Sequence, residues 1–400
     1  MDVPLELSSR LYQSVAGYII RHSKGRETEK VEGVDSLFSI PDILDRNHLE
    51  RPLIVTGPHI AESEFFQSFL NDRETSYTVF SSVKSDPAAS QIAQIARMYE
   101  EENCDSIIAI GGGSNLDAAK AAGAMIARPG HALRKMRGLF KVRREIPFFI
   151  AVPTTAGTGS EMTMAAVVTD DATGQKYSLI DPVLKPDVAV LDPSLLVSLP
   201  QKPTAYAGVD ALVHAVEAYL NERYHREDTK DYCEEAVEAI MEFLPKSYDD
   251  GEDLEAREEM LIASNKAAEA FNVAGVGNIH ALAHAIGGRY SLPHGYVNAI
   301  LLPIVLRDYG KAVEAQIARL ASICDIEKDG SRSERAEGFI RVIEEMNARM
   351  GIPDHIEEIK EQDIAVMSAW AAKEANPLYA VPVIYDKRHF AEVLRKASGR

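Results

Sequence analysis

The chain changes character near its middle, and this change limits the folds that it can adopt. In the first half, short apolar or β-branched runs alternate with segments of helical periodicity. From about Pro193 onward, long segments with a 3.6-residue period dominate. Alternating strands and helices are typical of βαβ units and a parallel sheet. We therefore predict an α/β domain over residues 1–195 and an all-helical domain over residues 196–400.

A chain of 400 residues is too long for one ordinary core, which agrees with two domains. The predicted strands are residues 51–57, 78–83, 105–110, 148–153 and 187–192. The clearest helical segments are residues 88–103, 114–127, 231–244, 257–271 and 333–350.

Charge and cysteine content restrict the classes of partner. The formal net charge of −18 argues against nucleic acid and anionic membrane surfaces, because both need a basic face. The three cysteines (Cys104, Cys233 and Cys324) are isolated, which indicates reduced thiols. No apolar run approaches the roughly 18 residues that span a bilayer, and the acidic start is unlike a secretory signal. We predict a cytoplasmic protein with no nucleic-acid or membrane partner.

A glycine-rich turn follows the third predicted strand. Residues 111–113 are all glycine, and Ser114 opens a helical segment. Glycines let a backbone approach a ligand closely, and the N-terminus of a helix favours a pyrophosphate. The turn lacks the full GxGxxG fingerprint, and Ser114 with Asp117 also matches a helix capping box. Taken alone, the motif leaves both interpretations open.

A second polar loop follows the strand at residues 148–153. It contains Thr154, Thr155 and Thr158 among small residues. Ligands in open α/β sheets bind at the carboxyl ends of the strands, where both loops are expected. A simple Ser/Thr turn is the alternative for this loop. Lys176 could add a cation, although a single lysine is more often only exposed. Together the two loops favour a Rossmann-like dinucleotide-binding domain.

The helical half contains five candidate metal ligands: Asp210, His214, His280, His284 and His294. The first two are four residues apart, as are the next two, so each pair lies on one face of a helix. One carboxylate with imidazoles suits iron(II), zinc, manganese or cobalt rather than calcium or magnesium.

A lone histidine on an apolar helix is usually a satisfied core residue, so only the set argues for a metal. Ala281 follows His280 where a zincin has its glutamate, which excludes that class. The proline and glycine around His294 predict a turn that brings its ring towards His280. An open position on such a metal would make an alcohol hydroxyl acidic, and a nicotinamide could accept the hydride.

Four motifs in order give the chain a resemblance to a known family. They occupy residues 111–120, 153–163, 208–219 and 279–303. With them, the chain resembles the iron-containing (group III) alcohol dehydrogenase family. The similarity is strong over residues 38–310 and looser beyond.

The resemblance implies roles for individual residues. It implies that Asp210, His214, His280 and His294 bind the metal, and that His284 lies in the active site and relays a proton. It also places Phe271 in the substrate pocket. The residues expected around the cofactor are Gly57, Gly111, Gly112, Gly113, Ser114, Asp117, Thr154, Thr155, Thr158 and Lys176.

Two features depart from the family pattern. Gly57 follows the first strand, where NAD-preferring members often place an aspartate that would repel a 2′-phosphate. We therefore expect NADP to be tolerated or preferred. Some 35 residues precede the segment FSIPDIL and include a charged stretch at residues 21–33. We interpret them as a surface extension, with a subunit-contact arm as the alternative.

We predict a metal-dependent, NAD(P)-linked alcohol dehydrogenase or aldehyde reductase that acts on a small alcohol or aldehyde. Iron(II) is the expected metal, zinc the alternative, and a homodimer or larger homo-oligomer the expected assembly. A polyol (glycerol-type) dehydrogenase is chemically close. A lyase resembling dehydroquinate synthase would need cations for a phosphorylated substrate, and residues 271–303 offer only Arg289. A non-enzymatic protein that kept the fold is disfavoured by the intact ligand set and loops.

Overall fold

The computed structural model describes residues 3–22, 26–71, 75–172 and 176–400. The chain divides into two compact units, one of residues Lys24–Leu199 and one of Met1–Ser23 together with Pro200–Arg400. The observed division thus lies four residues beyond the expected one. Helix α1 (Val3–His22) belongs to the helical unit, although we had assigned all of residues 1–195 to the α/β domain.

The α/β unit contains two sheets. A six-stranded sheet has the order β1-β9-β6-β4-β2-β3 and is parallel throughout, and a smaller sheet has the order β5-β8-β7. The strands are β1 (Glu29–Glu32), β2 (Pro52–Val55), β3 (Thr78–Phe80), β4 (Ser106–Gly111), β5 (Gly138–Leu139), β6 (Phe148–Pro153), β7 (Ala165–Thr169), β8 (Lys176–Ile180) and β9 (Val188–Leu191).

All five predicted strands lie in the large sheet. Its two central strands, β4 and β6, pair from Ser106 with Phe148 to Gly111 with Pro153. Every residue of β4 is buried, which explains why the sequence shows a continuous apolar run instead of alternation. The chain extends from β2 to β3 on one side of the sheet and from β4 to β6 on the other. The strand order therefore reverses between β2 and β4, and ligands bind at such a switch point.

Strand β1 was not predicted. It comes from the charged stretch at residues 21–33, of which residues 23–25 lie outside the described residues. Its backbone pairs with β9 at the edge of the sheet, and its side chains are largely exposed. An edge strand needs little apolar character, because its outer side is not covered. Part of the expected surface extension is thus a strand of the sheet.

Helices flank the strands of the α/β unit. The longest, α6, has a buried face of small residues that includes Ala118, Ala119 and Ala122. Small side chains let the helix lie close to the strands, with which it shares the core of this unit. The helices are α2 (Ile40–Arg46), α3 (Pro58–Ala61), α4 (Glu64–Asn71), α5 (Ala89–Glu101) and α6 (Gly113–Ala127).

The second unit is helical, as the 3.6-residue periodicity predicted. Helix α7 is the central helix of this unit, since every residue from Gly208 to Leu220 is buried. Among the described residues, no helix combines the length and apolar character needed to cross a membrane. Besides α1, the helices are α7 (Gln201–Leu220), α8 (Thr229–Asp249), α9 (Leu254–Ala274), α10 (Asn278–Tyr290), α11 (His294–Tyr309), α12 (Glu314–Ile323), α13 (Arg332–Arg349), α14 (Glu361–Ala375) and α15 (Lys387–Ala397).

Candidate functional site

Three helices of the helical unit carry the candidate metal ligands. Asp210 and His214 lie one turn apart on α7, and His280 and His284 lie one turn apart on α10. His294 is the first residue of α11. Since residues four apart share a helix face, each helix directs its ligands to the same region.

Three of the predicted ligands converge. The ligating atoms of Asp210, His280 and His294 all lie within 4.8 Å of one another. The Asp210 Oδ1 atom is 3.7 Å from His294 Nε2 and 4.0 Å from His280 Nε2. Two atoms that each lie about 2.1 Å from one ion at a tetrahedral angle are roughly 3.4 Å apart. The observed separations are slightly wider, so a small inward movement would suit a transition-metal ion.

The side chain of Asn298 marks the point of convergence. Its Nδ2 atom lies 2.6 Å from Asp210 Oδ1, 3.1 Å from His294 Nε2 and 3.3 Å from His280 Nε2. Asn298 is fully buried, and its Oδ1 atom has no hydrogen-bond partner. An amide nitrogen has only two N–H groups for these three acceptors. Acceptor atoms that surround one electropositive group are also placed to coordinate a cation. The side chains of Asp210, His280 and His294 therefore fit a bound metal.

His214 is adjacent to this set without joining it. Its ring stacks on that of His280, with 4.6 Å between centroids and 23° between planes. It also stacks on Phe271, at 4.2 Å and 20°. A stacked ring presents its face, and not a nitrogen lone pair, to its neighbour. The structure therefore brings three of the four expected ligands together, and it places Phe271 against the fourth.

Glu217 controls the orientation of His280. Its Oε2 atom lies 2.6 Å from His280 Nδ1, and its two oxygens also accept from the backbone N–H groups of Gly277 and Ile279. Burial raises the pKa of Glu217 to about 8, against the effect of these hydrogen bonds. Burial and the neighbouring histidines lower the pKa of His280 well below its usual value. When Glu217 is ionised, a form that a bound cation would favour, the neutral His280 donates its Nδ1 proton to the carboxylate and keeps its Nε2 lone pair for a metal.

His284 has a carboxylate partner of its own. Its Nδ1 atom lies 2.6 Å from Glu374 Oε1, which also accepts a hydrogen bond of 2.7 Å from the Tyr379 hydroxyl. Burial acts to raise the pKa of Glu374, but His284 and Tyr379 outweigh it and lower the pKa. The His284 ring stacks on that of His294 at 5.1 Å. His284 thus lies beside the three converging ligands, and Glu374 fixes the orientation of its ring through Nδ1.

The residues around His294 do not form the predicted turn. Pro293 is the N-cap of α11, and the helix continues through Gly295. A Cβ atom on Gly295 would lie 2.1 Å from the backbone oxygen of Tyr206 and 3.3 Å from the Cβ of Asp210. The glycine therefore permits the close approach of α11 to α7 that brings His294 beside Asp210.

In the α/β unit, the two predicted cofactor loops lie against each other. The backbone N–H of Thr154 donates to the Gly111 oxygen at 3.1 Å. A Cβ atom on Gly112 would lie 3.5 Å from the Thr155 side chain, and one on Gly113 would lie 2.7 Å from that of Thr158. The loops follow adjacent strands, β4 and β6, so they form one surface at the carboxyl edge of the sheet.

The start of α6 is shaped by Asn115. Gly111 has a φ of +147°, and a Cβ atom there would lie 2.5 Å from the Asn115 side chain. A Cβ atom on Gly57 would lie 3.3 Å from Asn115 Nδ2, an atom that is buried without a hydrogen-bond partner. Asn115 thus occupies the switch point between β2 and β4. Gly112 is the N-cap of α6 and forms no side-chain cap, so the capping box of Ser114 and Asp117, the alternative interpretation of this motif, is absent there.

Asp117 and Lys120 hold the second loop. The Asp117 carboxylate accepts from Ser160 Oγ at 2.7 Å and from the Val167 N–H at 2.9 Å. Lys120 Nζ donates to Ser160 Oγ at 2.9 Å and to the Thr163 oxygen at 2.8 Å. Burial lowers the pKa of Lys120 to about 8, although Asp117 opposes this shift. Two donors of the second loop and the strand after it thus bind Asp117, and its contact with the cofactor stays a prediction.

A single intervening residue, Asp86, connects Lys176 to the start of α6. Its ammonium pairs with Asp86 at 2.6 Å, and the backbone N–H of Asp86 donates to Ser114 Oγ at 3.3 Å. The predicted cation is therefore close to Ser114, but a carboxylate partly neutralises it.

Comparisons with known proteins agree with the description of both the α/β unit and the helical unit. The family model described as iron-containing alcohol dehydrogenase matches residues 28–193, and the model of that family's C-terminal region matches residues 204–398. The chain belongs to the iron-containing alcohol dehydrogenase family. The resemblance inferred from the motifs is confirmed, and it extends over the C-terminal region, where we expected a looser match.

Relatives in this family are similar over most of their length. The chain is 36% identical to the NAD-dependent methanol dehydrogenase of Bacillus methanolicus, over 87% of this chain and 92% of the relative. It is 35% identical to the 1,3-propanediol dehydrogenase of Citrobacter freundii, over 80% and 82%. A solved alcohol dehydrogenase from Oenococcus oeni matches with a TM-score of 0.87 and 32% identity, over 92% of this chain and 98% of that one. The predicted fold class and alcohol dehydrogenase activity are confirmed.

Sequence reasoning missed several residues of the two sites of this iron-containing alcohol dehydrogenase. Two of them show a helical signal, since Asn298 is four residues after His294 and Glu217 is seven after Asp210. Glu374 has no local signal, because it reaches His284 from a helix ninety residues away. The missed residues are Asn115, Lys120, Glu217, Asn298, Glu374 and Tyr379.

Proposed function

We propose that this chain is an iron(II)-dependent, nicotinamide-linked dehydrogenase that interconverts a small alcohol and its aldehyde. The observation that carries the proposal is the convergence of Asp210, His280 and His294 on one point in the helical unit. When bound, the metal supplies Lewis acidity to the substrate oxygen, and the nicotinamide exchanges the hydride. This donor set suits either iron or zinc. We choose iron because the matching family is described as iron-containing.

The side chains have distinct tasks in this proposal. Asp210, His280 and His294 hold the metal, and His214 completes the set if its ring turns from the stacked position. Glu217 keeps His280 in the tautomer that presents Nε2. His284 exchanges the proton of the alcohol at its Nε2, because Glu374 holds the other ring nitrogen. Phe271 lines the substrate pocket beside His214.

We propose that the cofactor binds at the surface formed by the two loops of the α/β unit. Gly112, Gly113 and the N–H groups that open α6 receive the pyrophosphate. The hydroxyls of Thr154, Thr155 and Thr158 suit the ribose and phosphate oxygens. The unpartnered Nδ2 of Asn115 supplies a further donor at the switch point.

The substrate class that we propose is a short primary alcohol or diol. The relatives compared above are named for methanol and 1,3-propanediol, which are both small. A polyol dehydrogenase remains the second candidate, because a diol dehydrogenase is already among these relatives. We further propose a cytoplasmic location and a homo-oligomeric state.

The proposal predicts turnover that depends on a metal. Purified protein loaded with iron(II) should oxidise the reduced nicotinamide in the presence of short aldehydes, as followed by its absorbance. Thorough removal of metal with a chelator should abolish turnover, and iron(II) should restore it. Zinc-loaded protein serves as the comparison for metal identity. Full turnover after elemental analysis shows no metal would contradict the proposed mechanism.

We also propose that NADP is accepted at least as well as NAD, because Gly57 leaves no carboxylate at the position facing the adenosine ribose. Gly57→Asp should lower kcat/KM for NADPH by roughly 10-fold or more relative to NADH, because like charges repel the 2′-phosphate. Measuring both cofactors with one aldehyde gives the ratio.

Gly57→Asn is the matched control for charge. Both side chains meet the same tight contacts of 3.3 Å with Asn115 Nδ2 and the Val83 oxygen, so the steric cost is shared. The asparagine variant should keep the ratio of the parent protein. A parent protein that already prefers NADH strongly would overturn the proposal for Gly57.

A further inference from the structure

Helix α1 turns a polar face towards the protein. A surface helix normally buries its apolar face. In α1, Ser9 and Gln13 are fully buried, whereas Leu7 and Leu11 are 72% and 68% exposed. The position of α1 is therefore explained by what its polar face binds, and not by burial of apolar surface.

Two side chains of this face, Arg10 and Gln13, bind the irregular segment at residues 377–383, which we call the anchored segment. Gln13 Nε2 donates to the Tyr379 backbone oxygen at 2.7 Å. Gln13 Oε1 accepts from Arg10 at 2.9 Å, which fixes the orientation of the amide. The backbone oxygens that these two side chains reach are those of Pro377, Tyr379, Val381 and Pro382.

Two further side chains bind the anchored segment. The Tyr224 hydroxyl donates to the Leu378 oxygen at 2.7 Å. Asn278 Nδ2, at the start of α10, donates to the Val383 oxygen at 2.9 Å. A segment outside helices and sheets needs such partners, because buried backbone oxygens are costly to leave unpaired. Helix α1 supplies the donors to four of these six oxygens, so it is the main support of the segment.

Helix α1 is itself held from a second place. A Cβ atom on Gly17 would lie 2.3 Å from the Arg223 oxygen, so only glycine permits this approach. Arg226 Nη2 donates to the Ile20 oxygen at 3.0 Å. Neither contact involves the anchored segment. The helix therefore acts as a fixed support and does not merely follow the segment.

The anchored segment connects α1 with His284. The Tyr379 hydroxyl donates to Glu374 Oε1 at 2.7 Å, and the same oxygen lies 2.6 Å from His284 Nδ1. The Glu374 side chain is 34% exposed, so packing alone does not hold it in place. Three successive hydrogen bonds thus lead from Gln13 through Tyr379 and Glu374 to the His284 ring.

We propose that Arg10 and Gln13 are positioning residues for His284. Through them α1 holds the anchored segment, in which Tyr379 keeps Glu374 against the His284 ring. The proposal rests on the proposed function, in which His284 exchanges the proton of the alcohol. A small misplacement of a reacting group costs much of its rate, so a helix remote in sequence belongs to the catalytic machinery.

The first test is kinetic. Gln13→Met keeps the length of the side chain and removes its amide, so kcat should fall by roughly 10-fold. The KM for the nicotinamide cofactor should not change, because the cofactor loops belong to the α/β unit. The metal content should also stay the same, because α1 carries no metal ligand. Ser14→Ala is the matched control, since this exposed hydroxyl donates within α1, to the Arg10 oxygen at 2.8 Å, and should leave all three quantities unchanged.

The second test breaks the link at another point. Tyr379→Phe removes the hydroxyl bound to Glu374 and leaves the contacts of α1 intact, so kcat should fall by a similar factor. Both changes act through one chain of hydrogen bonds. Gln13→Met/Tyr379→Phe should therefore lose roughly 10-fold, as each single variant does, and not the product of roughly 100-fold. Multiplicative losses would mean two independent effects and would overturn the proposal.

The third test does not depend on turnover. Hydrogen exchange in the peptide of residues 374–383 should be roughly 2- to 10-fold faster in Gln13→Met than in the parent protein or Ser14→Ala, the change that loss of one hydrogen bond gives. In zinc-loaded protein with nitrogen-15-labelled histidine, the ring signal of His284 should shift in both Gln13→Met and Tyr379→Phe. Tyr379→Phe keeps this test available if Gln13→Met does not fold.

Three results would overturn the proposal: unchanged exchange in Gln13→Met, an unchanged His284 signal in both variants, or faster exchange with the kcat of the parent protein. A parent protein without turnover, or full turnover in His284→Ala, would refute the proposed function instead. In that case the His284 signal still decides whether α1 positions this ring.

Discussion

Asp210→Ala is expected to remove both the bound metal and the activity. Asp210 is the only carboxylate in the converging set of described residues, so its loss leaves neutral ligands to balance a divalent cation. A metal supplies several kcal/mol of charge stabilisation, so kcat/KM should fall by roughly 10³-fold or more. Elemental analysis should show a matching loss of iron.

Thermal unfolding with and without metal separates this role from a structural one. A ligand that binds only the folded state raises its stability, so iron(II) should raise the Tm of the parent protein. The Tm of Asp210→Ala should not respond to iron(II), and without metal the variant should remain folded. Asp231→Ala, at an exposed aspartate on α8, is the control and should behave like the parent protein. An Asp210→Ala protein that retains stoichiometric iron would contradict the assignment of the ligands.

Lys120→Met is expected to cause the largest loss of stability in the α/β unit. The Lys120 ammonium is fully buried and donates to acceptors on Ser160, Thr163 and Ala165. Methionine has a similar volume but leaves those acceptors and the Asp117 carboxylate without their donor or counter-charge. Removing the buried charge leaves the nearby Asp117 carboxylate uncompensated and several acceptors unpaired, which should cost about 3–5 kcal/mol as measured by denaturant unfolding. Cofactor affinity should also fall, because the second loop loses its anchor.

Two further variants make this prediction testable even if Lys120→Met fails to fold. Thr163→Val removes one acceptor of the same ammonium and should cost only about 1 kcal/mol while weakening cofactor binding in the same direction. Lys135→Met changes an exposed lysine of the same unit and should alter neither property. If Lys120→Met matches Lys135→Met in stability and cofactor affinity, Lys120 does not anchor the loop.

The sequence predicted the elements of the fold well where local patterns are strong. Of the five predicted strands in the large sheet, β2, β4, β6 and β9 are almost entirely buried, so their apolar runs were visible. Strand β1 was missed because an edge strand with exposed charged side chains has no such pattern. Likewise α1 was assigned to the wrong unit, because its attachment depends on hydrogen bonds from Arg10 and Gln13 to residues more than 360 positions away.

The candidate sites likewise contain some residues that the sequence predicted and others that only the packing of the helices brings together. Spacings of four residues predicted that Asp210 and His214 share one helix face and that His280 and His284 share another, because helical geometry alone places such pairs together, whereas His294 was added from its proline–glycine context and the family resemblance. The amide of Asn298 among them, and the small size of Gly295 against α7, depend on how three helices pack. The contacts of Asp117 also depend on packing, since its donors Ser160 and Val167 lie 43 and 50 positions further along the chain.

By itself the sequence determined the fold class and the family, and it predicted the residue types of both sites, because periodicity and motif spacing are local properties of a chain. The tertiary structure decided which ligands converge, which carboxyl groups orient His280 and His284, and which face of α1 remains exposed. These depend on contacts between distant segments, and no local pattern of residues encodes the distance between two helices.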